Sequence, residues 1–102
     1  MARVIVSLLA QADTVDVVVD LRNAAGHAVA AEYAISFEAL YGRLAVHPNS
    51  GAPRSGIARR VRIGIVSPYI VIYEYDRAKD VVTILRIVHG RRKITRKLLR
   101  GV

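Results

Sequence analysis

The chain contains no cysteine, so neither a disulfide framework nor a thiolate-bound metal is open to it. Acidic groups are scarce: eight Asp and Glu stand against sixteen Lys and Arg, a formal net charge of +8. Five of the eight acids fall between Asp13 and Glu38, and no paired-carboxylate or Ser/His/Asp constellation is present to support a hydrolase. No glycine-rich loop follows a strand and opens a helix, which argues against a phosphate-cradling fold. His27, His47 and His89 lack metal-ligand spacing, so neither a metal nor a cofactor is expected. Uninterrupted apolar runs never approach the roughly 18–20 residues that span a bilayer, and the first residues lack a signal-type core and cleavage site. What is there reads as a single domain over residues 1–102, with no membrane association and a cytoplasmic location. A hydrophobic share of 53% and a charged share of 24% exclude a disordered tail.

The distribution of charge carries more information than its sum. Residues 1–51 hold three basic groups, Arg3, Arg22 and Arg43, against five acids, a net of −2. Residues 52–102 hold thirteen basic groups against Glu74, Asp76 and Asp80, a net of +10. From Arg86 onward there are seven Lys or Arg and no acid. Such asymmetry makes a positive field on one side of a small domain, suited to nucleic acid, an acidic protein or an anionic surface.

Residues 3–9 form a nearly continuous apolar, β-branched run, the pattern of a strand buried on both faces. Residues 13–25 are read as a helix, because Asp13, Asp16, Asp20 and Asn23 recur at intervals of three or four while Val15, Val18 and Val19 face another side. Asp13 or Thr14 is placed to cap its first turn, and Gly26 to end it. Residues 28–46 give a second helix with Val29, Tyr33, Phe37, Leu40 and Leu44 on one face, which reads as ordinary core. Pro48 ends it.

Residues 48–60 have two further glycines, two prolines and no apolar periodicity, and read as a loop. Three strands follow over 61–66, 69–75 and 81–88, the last two joined by a polar turn of hairpin length. Alternation puts Tyr69, Tyr73 and Tyr75 on one strand face, where core is the expected role. The order is β-α-α-β-β-β: an α+β fold with one mainly antiparallel sheet and an antiparallel helical hairpin on one face. A lone arginine in the last strand, Arg86, either pairs with a carboxylate or faces a target, because an unpaired buried charge is costly.

The loop His47-Pro48-Asn49-Ser50-Gly51-Ala52-Pro53-Arg54, the opening Val61-Arg62 and the strand Tyr69-Ile70-Val71-Ile72-Tyr73 resemble the ParE/RelE superfamily of bacterial toxins. The run Val82-Thr83-Ile84-Leu85-Arg86-Ile87-Val88-His89-Gly90-Arg91-Arg92 is similar to a signature of its ParE-like branch. The resemblance implies the toxin of a type II toxin–antitoxin pair, of the kind associated with plasmid stabilisation. ParE-like members block DNA gyrase by binding; RelE-like members cut messenger RNA on the ribosome.

The RelE-like branch draws its chemistry from lysines in and after the mid-chain loop, an arginine beside the central-strand tyrosine, an arginine after the last strand and a tail tyrosine. Here residues 48–60 contain no lysine, Ile70 follows Tyr69, and no tyrosine occurs after Tyr75. Only Arg91 or Arg92 matches by position. The expectation is therefore an inhibitor that works by binding, with a RelE-type ribonuclease or a non-toxic co-repressor as the alternatives. An imidazole as such titrates near neutral pH, so His89 is the one group that would serve as a base; the plainer reading packs its ring on the sheet end. Under the gyrase reading, the density of positive charge beside a flexible end makes Arg86, His89, Arg91, Arg92, Lys93, Arg96 and Lys97 the candidate target-binding set.

A mean hydropathy of +0.29 suggests apolar surface covered by a partner. The resemblance supplies a cognate antitoxin whose C-terminal segment wraps the toxin, as a helix in a groove or a strand added to a sheet edge. Val15, Val18 and Val19 on the hairpin, with Arg54, Arg59, Arg60 and Arg62, are its candidate contacts. Promoter DNA is expected to be reached only indirectly, through the antitoxin.

Overall fold

β-branched and aromatic residues dominate the last three long strands, and they build the centre of the sheet. The computed structural model describes residues 1–101. It places β1 at Arg3–Val6, α1 at Leu8–Ala25, α2 at His27–Val46, β2 at Ala52–Pro53, β3 at Val61–Val66, β4 at Tyr69–Asp76 and β5 at Val81–His89, followed by a 3-10 turn at Arg96–Leu99. The sheet order is β1-β5-β4-β3-β2. Only β1 and β5 run parallel, with Arg3 opposite Val81 and Val6 opposite Ile84. The α+β class and the helical hairpin are as expected; β2 is an addition inside the expected loop.

The first strand is shorter than the expected 3–9. Ser7 stops it, because its Oγ accepts the Ala10 N–H at 3.1 Å and donates to the Leu85 carbonyl at 2.9 Å. That hydroxyl, rather than Asp13 or Thr14, caps α1, and no acid lies in the first turn. β1 is also an edge strand rather than one buried on both faces: Val4 and Val6 join the core while Ile5 is exposed. Within α1 the residues that reach the core are Ala10, Val17 and Leu21; Val15 is 61% exposed, and Val18 and Val19 are half-buried. Gly26, at φ +94°, joins the helices in a conformation that favours glycine.

The hairpin face carries the larger core, with Phe37, Leu40, Leu44, Tyr69, Val71, Tyr73, Val82, Ile84 and Ile87 buried together and Tyr33 and Tyr75 against them. Each such side chain contributes about 1.5–3 kcal/mol by leaving water. Of the α2 face expected from sequence, Val29 alone stays out of this cluster. Gly64 lets α2 approach β3, since a Cβ there would stand 3.0 Å from both Leu40 methyls.

The opposite face has a core of its own. Val61, Ile63, Ile72, Leu85 and Val88 are covered by Ile57 from the mid-chain loop and Leu98 from the 3-10 turn, with Ala58, Ile70, Ile94 and Leu99 at the margin. The basic end is therefore anchored, not flexible as expected. A bulge sets the two faces in β5: Ile72 lies opposite Arg86 and Tyr73 opposite Ile84, which leaves Leu85 as the extra residue.

Candidate functional site

Past Ile84, β5 has no strand on its outer side, because β1 ends at Val6. The Asp13 carboxylate of α1 takes that place. Its Oδ2 accepts the Ile87 N–H at 2.9 Å, and the two oxygens take Arg86 Nε at 2.7 Å and Nη2 at 2.9 Å. Arg86 Nη1 reaches the other way, to the Leu98 carbonyl at 2.8 Å. The two side chains are each 14% exposed, and the hydrogen bond to Asp13 holds the Arg86 pKa above its already high ordinary value. Arg86 thus ties the hairpin, the sheet edge and the C-terminal segment together. Its fork is engaged inside the chain, which sets it apart from the outward-facing members of the candidate set.

His89 closes β5. Its Nδ1 accepts the Arg91 N–H at 3.0 Å, so the neutral ring carries its proton on Nε2. The ring stands edge-on to Tyr69, centroids 5.7 Å apart. With Arg92, Asp16 and Asp20, His89 and Tyr69 line a shallow cleft of about 270 Å³ between α1 and β5. Burial pushes the Tyr69 phenol up, which keeps it protonated and unsuited to act as a base. Arg91, Lys93, Arg96 and Lys97 are exposed.

The mid-chain loop is pinned from below. The Tyr73 hydroxyl, on a side chain with no exposed surface, donates to the Pro48 carbonyl at 2.9 Å and accepts the Gly51 N–H at 2.8 Å. Burial raises its pKa, with the Gly51 bond and Arg62 opposing. Gly51 is required here: a Cβ would meet the Ile63 carbonyl and the Tyr73 hydroxyl at 2.5 Å. Arg62 Nη1 donates to the carbonyls of Asn49 at 2.9 Å and Gly51 at 2.7 Å, so this candidate partner contact also fixes the loop. Arg54, Arg59 and Arg60 are exposed on the loop's later part. They flank Ile57 on the far side of the sheet, whereas Val15, Val18 and Val19 ride on α1, which packs against α2 and β5. The expected antitoxin contacts do not form one patch.

A groove that sequence reasoning missed lies between α2 and β3. β2 pairs only with Arg62 and Ile63, so β3 runs on for three residues with an unpaired outer edge. Beside it are two adjoining hollows of about 460 and 400 Å³ that share Arg43 and Ile65. Leu40, Leu44 and Tyr33 form part of the walls; Ile65, 54% exposed, borders the groove by its strand edge, its side chain on the same face as Ile70 and Ile63. The one available signal was Ile65 itself, an apolar residue beyond the reach of the proline-containing loop.

Among the described residues, no group of three or more His, Asp or Glu is placed to hold a metal ion, and no helix is long and apolar enough to cross a membrane. Residues 4–94 match the family described as ParE toxin of type II toxin-antitoxin system, parDE. The fold is similar to that of a chain from the chromosomal ParDE TA system of P. aeruginosa: TM-score 0.73 at 20% identity, covering 87% of this chain and 96% of that one. No curated protein sequence matches.

Proposed function

This chain belongs to the ParE toxins of type II toxin–antitoxin systems, and from that premise we propose that it is neutralised by a cognate antitoxin and acts on DNA gyrase by binding, without chemistry of its own. The family match over residues 4–94 carries this reading. The side chains available support binding over catalysis. RNA cleavage by the 2′-hydroxyl needs a base, an acid and charge at the phosphorane. Ile70, where the resemblance would require an arginine, packs at the margin of the far-face core. His89 already accepts a backbone N–H at Nδ1.

For the antitoxin, the groove between α2 and the free edge of β3 offers both modes of peptide recognition: an apolar trough for a helix and a strand edge for added pairing. Its occupant would pair along the β3 edge at Ile65 and engage Arg43. The exposed cations Arg91, Lys93, Arg96 and Lys97 are the surface proposed to meet the target, with Arg86 as the residue that positions the segment carrying them.

The test is expression from a tight promoter without antitoxin, following the DNA damage response and ribosome-dependent mRNA cleavage together. Induced damage with intact transcripts is the expected result. Transcripts cut at ribosomal positions would overturn the reading and make His89 and Arg91 the catalytic suspects. Robust expression with neither response would overturn the gyrase assignment and favour a co-repressor.

A further inference from the structure

Two basic segments, more than thirty residues apart in sequence, lie on the same face of the sheet. Residues 54–60 are held there by Ile57 and Ala58, and residues 91–100 by Ile94, Leu98 and Leu99, all in one apolar cluster. Between these anchors the segments carry Arg54, Arg59 and Arg60, and Arg91, Arg92, Lys93, Arg96, Lys97 and Arg100, with no acid among them. All nine are exposed. The only ion pair among the described residues is that of Arg86 with Asp13. Arg92 borders Asp16 and Asp20, and Arg60 borders Asp76, which leaves seven cations with no carboxylate beside them. The hairpin on the opposite face holds five acids and two arginines, a net of −3. The molecule is thus polarised across its sheet.

Beyond the gyrase reading, we propose that this basic face is also a binding surface for duplex DNA, contacting phosphates without reading sequence, so that DNA shares Arg91, Lys93, Arg96 and Lys97 with the protein target. The position of the aromatic residues selects the duplex. Tyr33, Phe37, Tyr41, Tyr69, Tyr73 and Tyr75 all belong to the hairpin-side core. Tyr75 lines a hollow with Arg60 and Tyr69 one with Arg92, but the basic face has no row of rings on which successive unpaired bases would stack. Single strands are held by such stacking platforms, whereas a duplex presents a rigid phosphate array that needs only cations. Five of the seven free cations are arginines, whose planar fork matches a phosphate bidentately. A single 3-10 turn, Arg96–Leu99, is the only helical element there, too short to enter a groove and read bases, so the contacts stop at the backbone. The α2–β3 groove lies on another side, so DNA and a protein partner fit at once.

The experiment is fluorescence anisotropy of a labelled random-sequence DNA duplex with the purified chain, across roughly 50–200 mM salt. Binding whose logarithm falls with log salt at a slope of about −4 or steeper is expected. The variant R59Q/R96Q/K97Q should weaken binding tenfold or more and flatten that slope by roughly 2–3, at about 0.9 per lost phosphate contact. The control R3Q/R22Q removes charge from the other half and should leave the slope in place. Equal weakening by both variants would overturn the assignment to this face. So would tighter binding of single strands, displacement by polyglutamate at matched charge, or no binding at all. A second measurement uses the unaltered protein: bound duplex should shield Lys93 and Lys97 from acylation while Lys79, in the β4–β5 turn, stays reactive. Equal reactivity of all three lysines would also overturn the proposal.

Discussion

Replacing Asp13 by alanine removes three accepted hydrogen bonds at once, from Arg86 Nε, Arg86 Nη2 and the Ile87 amide. The guanidinium would keep a single protein partner, the Leu98 carbonyl. Breaking a buried pair from one side costs about 3–5 kcal/mol. With both side chains 14% exposed, water recovers part of that, and the expected loss is about 2–4 kcal/mol. Asp13→Asn keeps one oxygen, which in the Oδ2 position still accepts from Arg86 Nε and the Ile87 amide, and should lose roughly half as much. Urea unfolding with an unchanged m value is the assay, and the melting temperature should fall by at least about 8 °C for Asp13→Ala. In a double-mutant cycle with Arg86→Met, the second substitution should add little, because the stranded charge is then gone. A loss under about 0.5 kcal/mol for Asp13→Ala would refute the reasoning, since that is the scale of an ordinary surface substitution.

Tyr73→Phe leaves the Pro48 carbonyl and the Gly51 amide without their partner and should destabilise by about 1–3 kcal/mol in chemical denaturation. Leu98→Ala opens the far-face core and should lose roughly 2–3 kcal/mol; for the same reason, truncation after Gly90 tests stability as much as toxicity. Burial, more than the neighbouring Glu38, pushes the Tyr41 phenol up to about 12 from 10.0. The unfolded chain ionises first, so this residue's contribution is whole below pH 10 and is lost as pH rises through about 12. Absorbance titration of tyrosinate should show a highest-pH component that Tyr41→Phe removes. Ile65→Lys, on the free edge of β3, should weaken antitoxin binding at least tenfold by calorimetry without lowering the melting temperature.

The hairpin and the central strands were legible because their patterns are local. Tyr33, Phe37, Leu40 and Leu44 repeat at helical spacing, and the β4–β5 turn is marked by polar residues. The start of α1 was not, because Ser7, Leu8 and Leu9 continue an apolar run and the cap depends on a hydroxyl that also bonds Leu85, far away in sequence. The far-face core was hidden for a related reason. Ile57 and Leu98 stand among arginines and lysines, and single apolar residues in such company carry no period. Only the fold reveals that they cover Ile72 and Leu85. The two readings of Arg86 turned on one unseen fact, the bulge at Leu85, which brings its fork to Asp13. The α2–β3 groove was illegible because it exists where a strand stops pairing.

The parallel pairing of β1 with β5 has a consequence for how the protein is made. Ser7 meets Leu85 across 78 residues, and the first strand has no partner until nearly the last element has been synthesised. At about 5–20 residues per second, the ribosome leaves that strand waiting for roughly 4–16 s. Throughout that interval the helical hairpin has only part of a sheet to lie on. Translation that stops anywhere before β5 therefore yields an unfolded fragment rather than a weaker protein. The domain comes into being as a whole, and late.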